Sequence, residues 1–294
     1  MLFIGNAPDS LGQSRYGFLL ERSAFGGRMK NQVKKICLIV LVSFVAFILL
    51  SGLVLLGVYF LSPKSTPQYV AHRGSSQNHL GNTEAAFLAA TELPFYGIET
   101  DIRKTKDGVF VCNHDETVKY ADGDEKSVSE SSYADLIAKP LKNEKSDETA
   151  FLCTFERYLE ICKNGGKVAV IELKEDFSEE DVLAILDAVD AVYDKSAVSV
   201  ISFYFDALLR VRASDASLGL QYLSETKNDP LFERCLEEKI SIDVRQSILT
   251  KKMVKTFHKA GLTVNAWTVN KAFDRNTVRI KGVDYITTDF YTRP

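Results

Sequence analysis

His72-Arg73-Gly74, Glu99-Thr100-Asp101 and His114-Asp115 put two imidazoles, a guanidinium and three carboxylates into one stretch, residues 72–115. Together such groups can break a phosphate ester. Two histidines can divide the proton traffic, one taking a proton and the other delivering one. Arginine meets a phosphate with a planar fork of donors. Carboxylates two apart on a strand point to the same side and can hold a hard divalent cation. Only four histidines occur in the whole chain, so two of them here are unlike a random scatter.

Each residue also has a duller role. A lone His72 can cap a strand, Glu99 and Asp101 can face solvent, and Trp267 can be core. Glu172-Leu-Lys174 can be a surface ion pair, which is worth little. Yet residues 168–171 are Val-Ala-Val-Ile and read as a buried strand, so charges at its end need a reason. The mouth of a barrel supplies one.

The formal net charge of −3 conceals an asymmetry. Residues 1–35 carry Arg15, Arg22, Arg28, Lys30, Lys34 and Lys35 against Asp9 and Glu21, which leaves 30 basic and 37 acidic residues in the remainder. An acidic domain is a poor partner for nucleic acid, which rewards clustered positive charge, and no nucleic-acid role is expected.

Residues 36–61 contain no charge. As a helix they rise about 39 Å, enough to cross a hydrocarbon core of about 30 Å with some tilt. A signal peptide has a shorter apolar region and a small-residue cleavage site, and a buried core helix shows a polar stripe; neither is visible. The expectation is a single transmembrane helix over 36–61, after a poorly structured basic tail, 1–35. Four basic residues precede the span closely and only Lys64 follows, which predicts a cytoplasmic tail and an extracytoplasmic domain at the cell membrane. A Pro/Ser linker covers 62–67.

Five cysteines do not demand a disulfide framework. Cys37 lies in the span, Cys153 and Cys162 read as one helix too widely spaced to bridge, and Cys112 as a small buried hydrophobe. A pair involving Cys235 stays open.

Beyond residue 67 apolar strand-like runs alternate with amphipathic helical ones. Strands are expected near 69–72, 98–102, 109–113, 168–173, 197–202, 218–223, 240–244, 264–268 and 285–287, with helices near 84–93, 154–163, 179–193, 205–213, 247–260 and 271–281. The alternation implies an α/β fold around a largely parallel sheet. Lys106-Asp107-Gly108 leaves too few residues for a helical return, so its flanking strands are expected to form an antiparallel hairpin with Glu99 opposite His114. Asn82-Thr83 reads as a helix N-cap. Residues 116–150 are polar and could be disordered.

The order of these stretches resembles the glycerophosphodiester phosphodiesterase family. The resemblance rests on Tyr69-Val-Ala-His-Arg-Gly74, Asn82-Thr-Glu-Ala-Ala-Phe87, Gly97-Ile-Glu-Thr-Asp101, Thr105-Lys-Asp-Gly108 and Val111-Cys-Asn-His-Asp115. Further on it includes Val170-Ile-Glu-Leu-Lys174, Ile201-Ser-Phe203, Leu218-Gly-Leu-Gln-Tyr-Leu223, Asn265-Ala-Trp-Thr-Val-Asn270 and Gly282-Val-Asp-Tyr-Ile-Thr-Thr-Asp289. It implies a TIM-type (β/α)8 barrel over 68–294, with a small insertion near 116–150 over its mouth. Nine strand candidates then compete for eight places, and 240–244 is the least secure.

The activity implied is metal-dependent hydrolysis of glycerophosphodiesters to glycerol phosphate and an alcohol. Glu99, Asp101 and Glu172 would hold one divalent cation. All-oxygen ligands favour Mg²⁺ or Ca²⁺. Arg73 and Lys174 would bind the phosphate, and Trp267 would form a wall for the glycerol. His72 and His114 would be the acid–base pair, in either order. Attack by a neighbouring hydroxyl through a cyclic phosphate and direct attack by water both remain open. Where the family usually has an acidic residue before Asn-Thr, this chain has Gly81. Two other readings stay in view: a phospholipase-type hydrolase of lysolipids or lipids, and a non-catalytic membrane-tethered module binding headgroups or polymer.

Overall fold

Runs such as Val168-Ala-Val-Ile-Glu-Leu173 are buried along nearly their whole length, as parallel strands covered on both faces must be. In the computed structural model, which describes residues 12–61, 66–144 and 147–291, eight such strands close a TIM-type barrel. They are β1 (Gln68–Ala71) and β2 (Gly97–Lys104), then, after β3 (Phe110–Cys112), β4 (Thr117–Lys119), β5 (Glu125–Ser127) and β6 (Cys153–Thr154), β7 (Val168–Leu173) and β8 (Val198–Ser202). β9 (Gly219–Ser224), β10 (Ser241–Arg245), β11 (Val264–Trp267) and β12 (Tyr285–Thr288) complete the circuit. β7 to β12 follow in sequence, β12 pairs with β1, and β1 and β7 both pair with β2. All these pairings are parallel.

Residues 240–244, the least secure strand in the sequence, are therefore a wall of the barrel, and 109–113 is the ninth run that stands outside it. The reason lies in β2. Its first residues pair with the short β1, Val70 opposite Gly97 and Ala71 opposite Ile98. Its far end pairs antiparallel with β3, Ile102 opposite Cys112. The hairpin thus fills the edge that β1 leaves free. Its register differs by one residue from the expected one. Ile102 faces Cys112, and Asn113 N–H donates to the Asp101 carbonyl at 2.9 Å, so continuing the ladder sets His114 opposite Thr100 rather than Glu99.

Residues 116–150 are folded where described. β4 and β5 form a hairpin, and Val118, Tyr120, Val128, Leu136, Leu141 and Leu152 bury a small core of their own with Val111. Cys153 lies on β6 beside Cys112 rather than on the following helix, and all five cysteines are free. Serine and threonine caps start several outer helices, as Thr154 does by accepting from Arg157 N–H. Inside the barrel Val70, Val170, Ile201 and Leu223 form an apolar layer with Trp267 against it.

A separate unit precedes the barrel. One helix runs from Gly12 to Leu61, so residues 12–35 of the expected unstructured tail are helical. No proline interrupts them, and a helix once nucleated extends at the gain of one hydrogen bond per residue. Gln32–Val54 is long and apolar enough to cross a membrane. Residues 1–11 of the expected tail and 62–65 of the expected linker lie outside the described residues.

Candidate active site

β1 ends at Ala71, and His72 and Arg73 open the loop beyond its carboxyl end, where barrels carry their chemistry. Arg73 and Gly74 take left-handed backbone angles, φ 58° and 80°. A Cβ on Gly74 would stand 2.6 Å from the Ala86 carbonyl carbon, so only glycine fits the turn. The turn directs the Arg73 N–H onto Glu99 Oε2 at 2.8 Å and pairs its guanidinium ionically with Asp101, Nε to Oδ2 3.1 Å. Gly81 packs against the same turn. A Cβ there would lie 2.9 Å from Arg73 Cβ, so close contact stands where the family usually places an acid.

Glu99 and Asp101 point inward from β2, and the β2–β7 register sets Asp101 beside Glu172. One oxygen from each of the three lies within 4.8 Å of the others, although the residues are only 2%, 1% and 8% exposed. Burial and the neighbouring carboxylates Asp101 and Glu172 push Glu99 well above its ordinary value. Burial and Asp101 push Glu172 up to about 7. Burial would also raise Asp101, but Arg73 and Lys174 outweigh it and hold that group low. Lys174 donates to Glu172 Oε1 at 2.8 Å and sits 3.5 Å from Asp101 Oδ1.

Three carboxylates are costly to bury unless compensated. Glu99 Oε1 and Asp101 Oδ1 have no hydrogen-bond partner in the protein. Clustered oxygen donors with orphaned atoms suit a hard divalent cation. Among the described residues no other His, Cys, Asp and Glu side chains converge in this way.

The imidazoles stand on either side. His72 Nδ1 lies 2.6 Å from Asp289 Oδ1 and His114 Nδ1 2.7 Å from Asp115 Oδ1. An Nδ1–H donated to each carboxylate leaves Nε2 of both rings for a substrate. Burial and the Arg73 charge lower the His114 pKa. Trp267 closes the far wall, its Nε1 donating to the Asp243 carbonyl at 3.2 Å and its ring meeting Phe203 edge-on. His72, Arg73, Glu99, His114, Glu172 and Lys174 all line one cavity of ≈ 290 Å³, with Trp267. Asp101 lies beneath it.

Several residues here had no assigned part in the sequence. Asp289 is held by His72, Asn270 and Ser76. Although burial opposes it, its bonds to His72 bring its pKa to about 2. Thr83 is the helix cap expected of Asn82-Thr83, accepting from Ala86 N–H. Asn82 instead donates to Asp101 Oδ2 at 2.7 Å and accepts from Thr100. Arg103 clasps the His114 carbonyl through Nε and Nη2, at 3.1 and 2.9 Å. Asp243 lines the cavity, fully buried, with burial and Glu172 raising its pKa well above normal. An acid inside the apolar run 240–244 was a signal of the same kind as Glu172.

Comparison with known proteins gives the family and the fold. A glycerophosphodiester phosphodiesterase of Caldanaerobacter subterraneus subsp. tengcongensis is 28% identical over 229 residues, 75% of this chain and 93% of that one. The structure of a phosphodiesterase from Oleispira antarctica, in complex with the product sn-glycerol-3-phosphate, matches with a TM-score of 0.69 at 24% identity, covering 76% of this chain and 93% of that one. The glycerophosphodiester phosphodiesterase of Thermotoga maritima matches with a TM-score of 0.63 at 25% identity, over 76% and 95%. The profile of the glycerophosphoryl diester phosphodiesterase family matches residues 72–293 from the first imidazole almost to the chain end, and the protein belongs to that family.

Proposed function

We propose that the protein hydrolyses glycerophosphodiesters to glycerol phosphate and an alcohol, with His72 and His114 as its acid–base pair. The observation that carries this is the single cavity in which both imidazoles face Arg73, Lys174 and the carboxylate cluster. A phosphodiester resists attack because its charge repels nucleophiles and its alkoxide leaves poorly. Arg73 and Lys174 answer the first difficulty by meeting the phosphoryl oxygens. The imidazoles answer the second. One Nε2 takes the proton of the attacking oxygen as that oxygen bonds to phosphorus, the P–O bond to the alcohol breaks, and the other ring protonates the departing oxygen.

Glu99, Asp101 and Glu172 would hold one divalent cation, Mg²⁺ or Ca²⁺, which when bound supplies further positive charge to the phosphate. Asp289 and Asp115 orient the two rings. Trp267, fixed by Asp243 and Phe203, is the wall for the glycerol.

The helix at Gln32–Val54 supports a second part of the reading. The protein is a single-pass membrane protein spanning over 36–61, with 62–67 as linker and the barrel outside the cytoplasm. The chemistry is tested with the full-length protein in detergent, given glycerophosphocholine and Mg²⁺ or Ca²⁺. Glycerol phosphate should appear and should vanish in chelator. Absence of product with every divalent cation tried across neutral pH would overturn the reading.

A further inference from the structure

A phosphodiester carries two substituents, and two cavities meet at His72, Arg73 and His114. One is the ≈ 290 Å³ space leading down to Glu172, Asp243 and Trp267. The other, ≈ 370 Å³, runs outward beneath the insertion, past Leu80, Asn113, Thr117, Lys119 and Lys142. A phosphate at the shared residues sends one ester arm into each. The inner space, walled by Trp267, Ile201 and Leu223, suits the small glycerol. The outer one is left for the alcohol.

Charge in the outer cavity is arranged in an unusual way. Tyr120 and Leu141 form an antiparallel bridge, and Lys142 N–H donates to the Lys119 carbonyl at 2.8 Å. The same register sets Lys119 directly opposite Lys142, and both line the cavity. Like charges opposed across a strand pair are destabilising. Their carboxylate partners stand mostly outside the cavity lining: Lys119 faces Glu125 across the β4–β5 pair and lies 3.5 Å from Asp115, and Lys142 lies 2.7 Å from Glu144, with the two lysines 52% and 53% exposed. The two carboxylates in the cavity lining, Asp115 and Asp289, are already engaged by the imidazoles. The two cavities therefore differ in character. Acidic side chains dominate the inner one, with Glu99, Glu172, Glu225 and Asp243, whereas two lysines mark the outer one.

Resting on the phosphodiesterase reading above, we propose that the cavity beneath the insertion is the subsite for the departing alcohol, and that Lys119 and Lys142 select an alcohol bearing a further phosphate. Such an alcohol is supplied by a chain of glycerol phosphates or by a phosphorylated polyol. An anion between the opposed ammonium groups removes their mutual repulsion. A quaternary ammonium alcohol gains nothing there.

The test measures kcat/KM of the full-length protein in detergent with saturating divalent cation on four substrates. These are glycerophosphoglycerol, glycerophosphocholine, a glycerol trimer linked by two phosphodiesters, and glycerophosphoinositol 4-phosphate. The two substrates with an additional phosphate should be preferred over glycerophosphoglycerol. In Lys119→Ala/Lys142→Ala that preference should shrink about tenfold, and rising salt should erode it in the wild type, since exposed charges are screened. Lys119→Glu/Lys142→Glu should turn the preference toward glycerophosphocholine. Preference for the trimer alone points to a glycerol phosphate chain, and preference for the inositol phosphate alone to a phosphorylated polyol. A preference ratio identical in the wild type and both double variants overturns the subsite while leaving the activity standing. A wild type that cleaves none of the four overturns the phosphodiesterase reading, and the subsite falls with it.

Discussion

All four histidines pair with a carboxylate, since His79 meets Glu148 and His258 meets Asp284. Pairing alone therefore does not mark a catalytic ring; what separates His72 and His114 is that both face the cavity of Arg73 and Lys174. Alanine at either should lower kcat by about 10²–10⁴, as loss of a proton-transfer group does, with a smaller change in KM. The double variant should fall well short of the product of the single effects, because the two rings serve one sequence of transfers. Steady-state kinetics on glycerophosphocholine measure this, and parental rates in both single variants would make the rings structural. Asp289→Asn should lower kcat less than His72→Ala, by replacing the charged acceptor that fixes the ring and its tautomer with a neutral amide. His72, Arg73, Glu99, Asp101 and His114 were legible because histidine is scarce and the five fall within one short stretch, and Glu172 and Lys174 because they charge the end of an apolar run. Asp289 and Asp243 were not, since the closure that sets β12 beside β1 and turns Asp243 of β10 into the same cavity as Glu172 is invisible in any short window.

The strand ends that deliver the carboxylates set an electrostatic cost the barrel must carry. Glu172 has its pKa raised to about 7, by burial and then by Asp101, and Glu99 is raised well above its ordinary 4.5. Asp243 is raised in the same direction. In the unfolded chain these groups are ionised from well below neutrality, so near pH 7 the folded state binds more protons. Its stability without metal should then fall as pH rises through about 7. His114, whose pKa is lowered by burial and the Arg73 charge, acts in the opposite sense, its contribution to stability rising with pH. A bound cation keeps the carboxylates ionised and removes the slope. The Tm difference between cation-saturated and chelator-treated protein should grow from pH 6.5 to 8, and a constant difference would dismiss the cation site. At this scale the sequence showed alternation, but not which runs close the circle. Ile240 to Val244 is interrupted by a buried acid and so read as a doubtful strand, whereas 109–113 is more apolar yet lies outside, because β2 outlasts β1 and leaves an edge for it.

At the scale of the whole chain, charge and hydropathy divide the molecule where its contacts divide it, near residue 62. The apolar run was legible in composition alone; the helical character of residues 12–35 was not, because Gly12, Gly17, Gly26 and Gly27 speak against a helix there. Arg28, Lys30, Lys34 and Lys35 crowd the start of the run, and only Lys64 stands close behind its end. Basic residues near a span resist translocation. A barrel carrying 37 acidic and 30 basic residues along with its linker has no comparable charge bias holding it inside. The expected arrangement is an inward tail and an outward barrel, which presents the cavity to substrates on the far side of the membrane from the tail. Protease added to intact cells should therefore remove an epitope placed after residue 291 and spare one placed at residue 1. In inside-out vesicles the pattern should reverse, with the first epitope lost and the second protected. A C-terminal epitope that survives in intact cells and is lost only on lysis would place the barrel inside and refute the orientation. Recovery of both epitopes in the soluble fraction without any cleavage would refute the anchor itself.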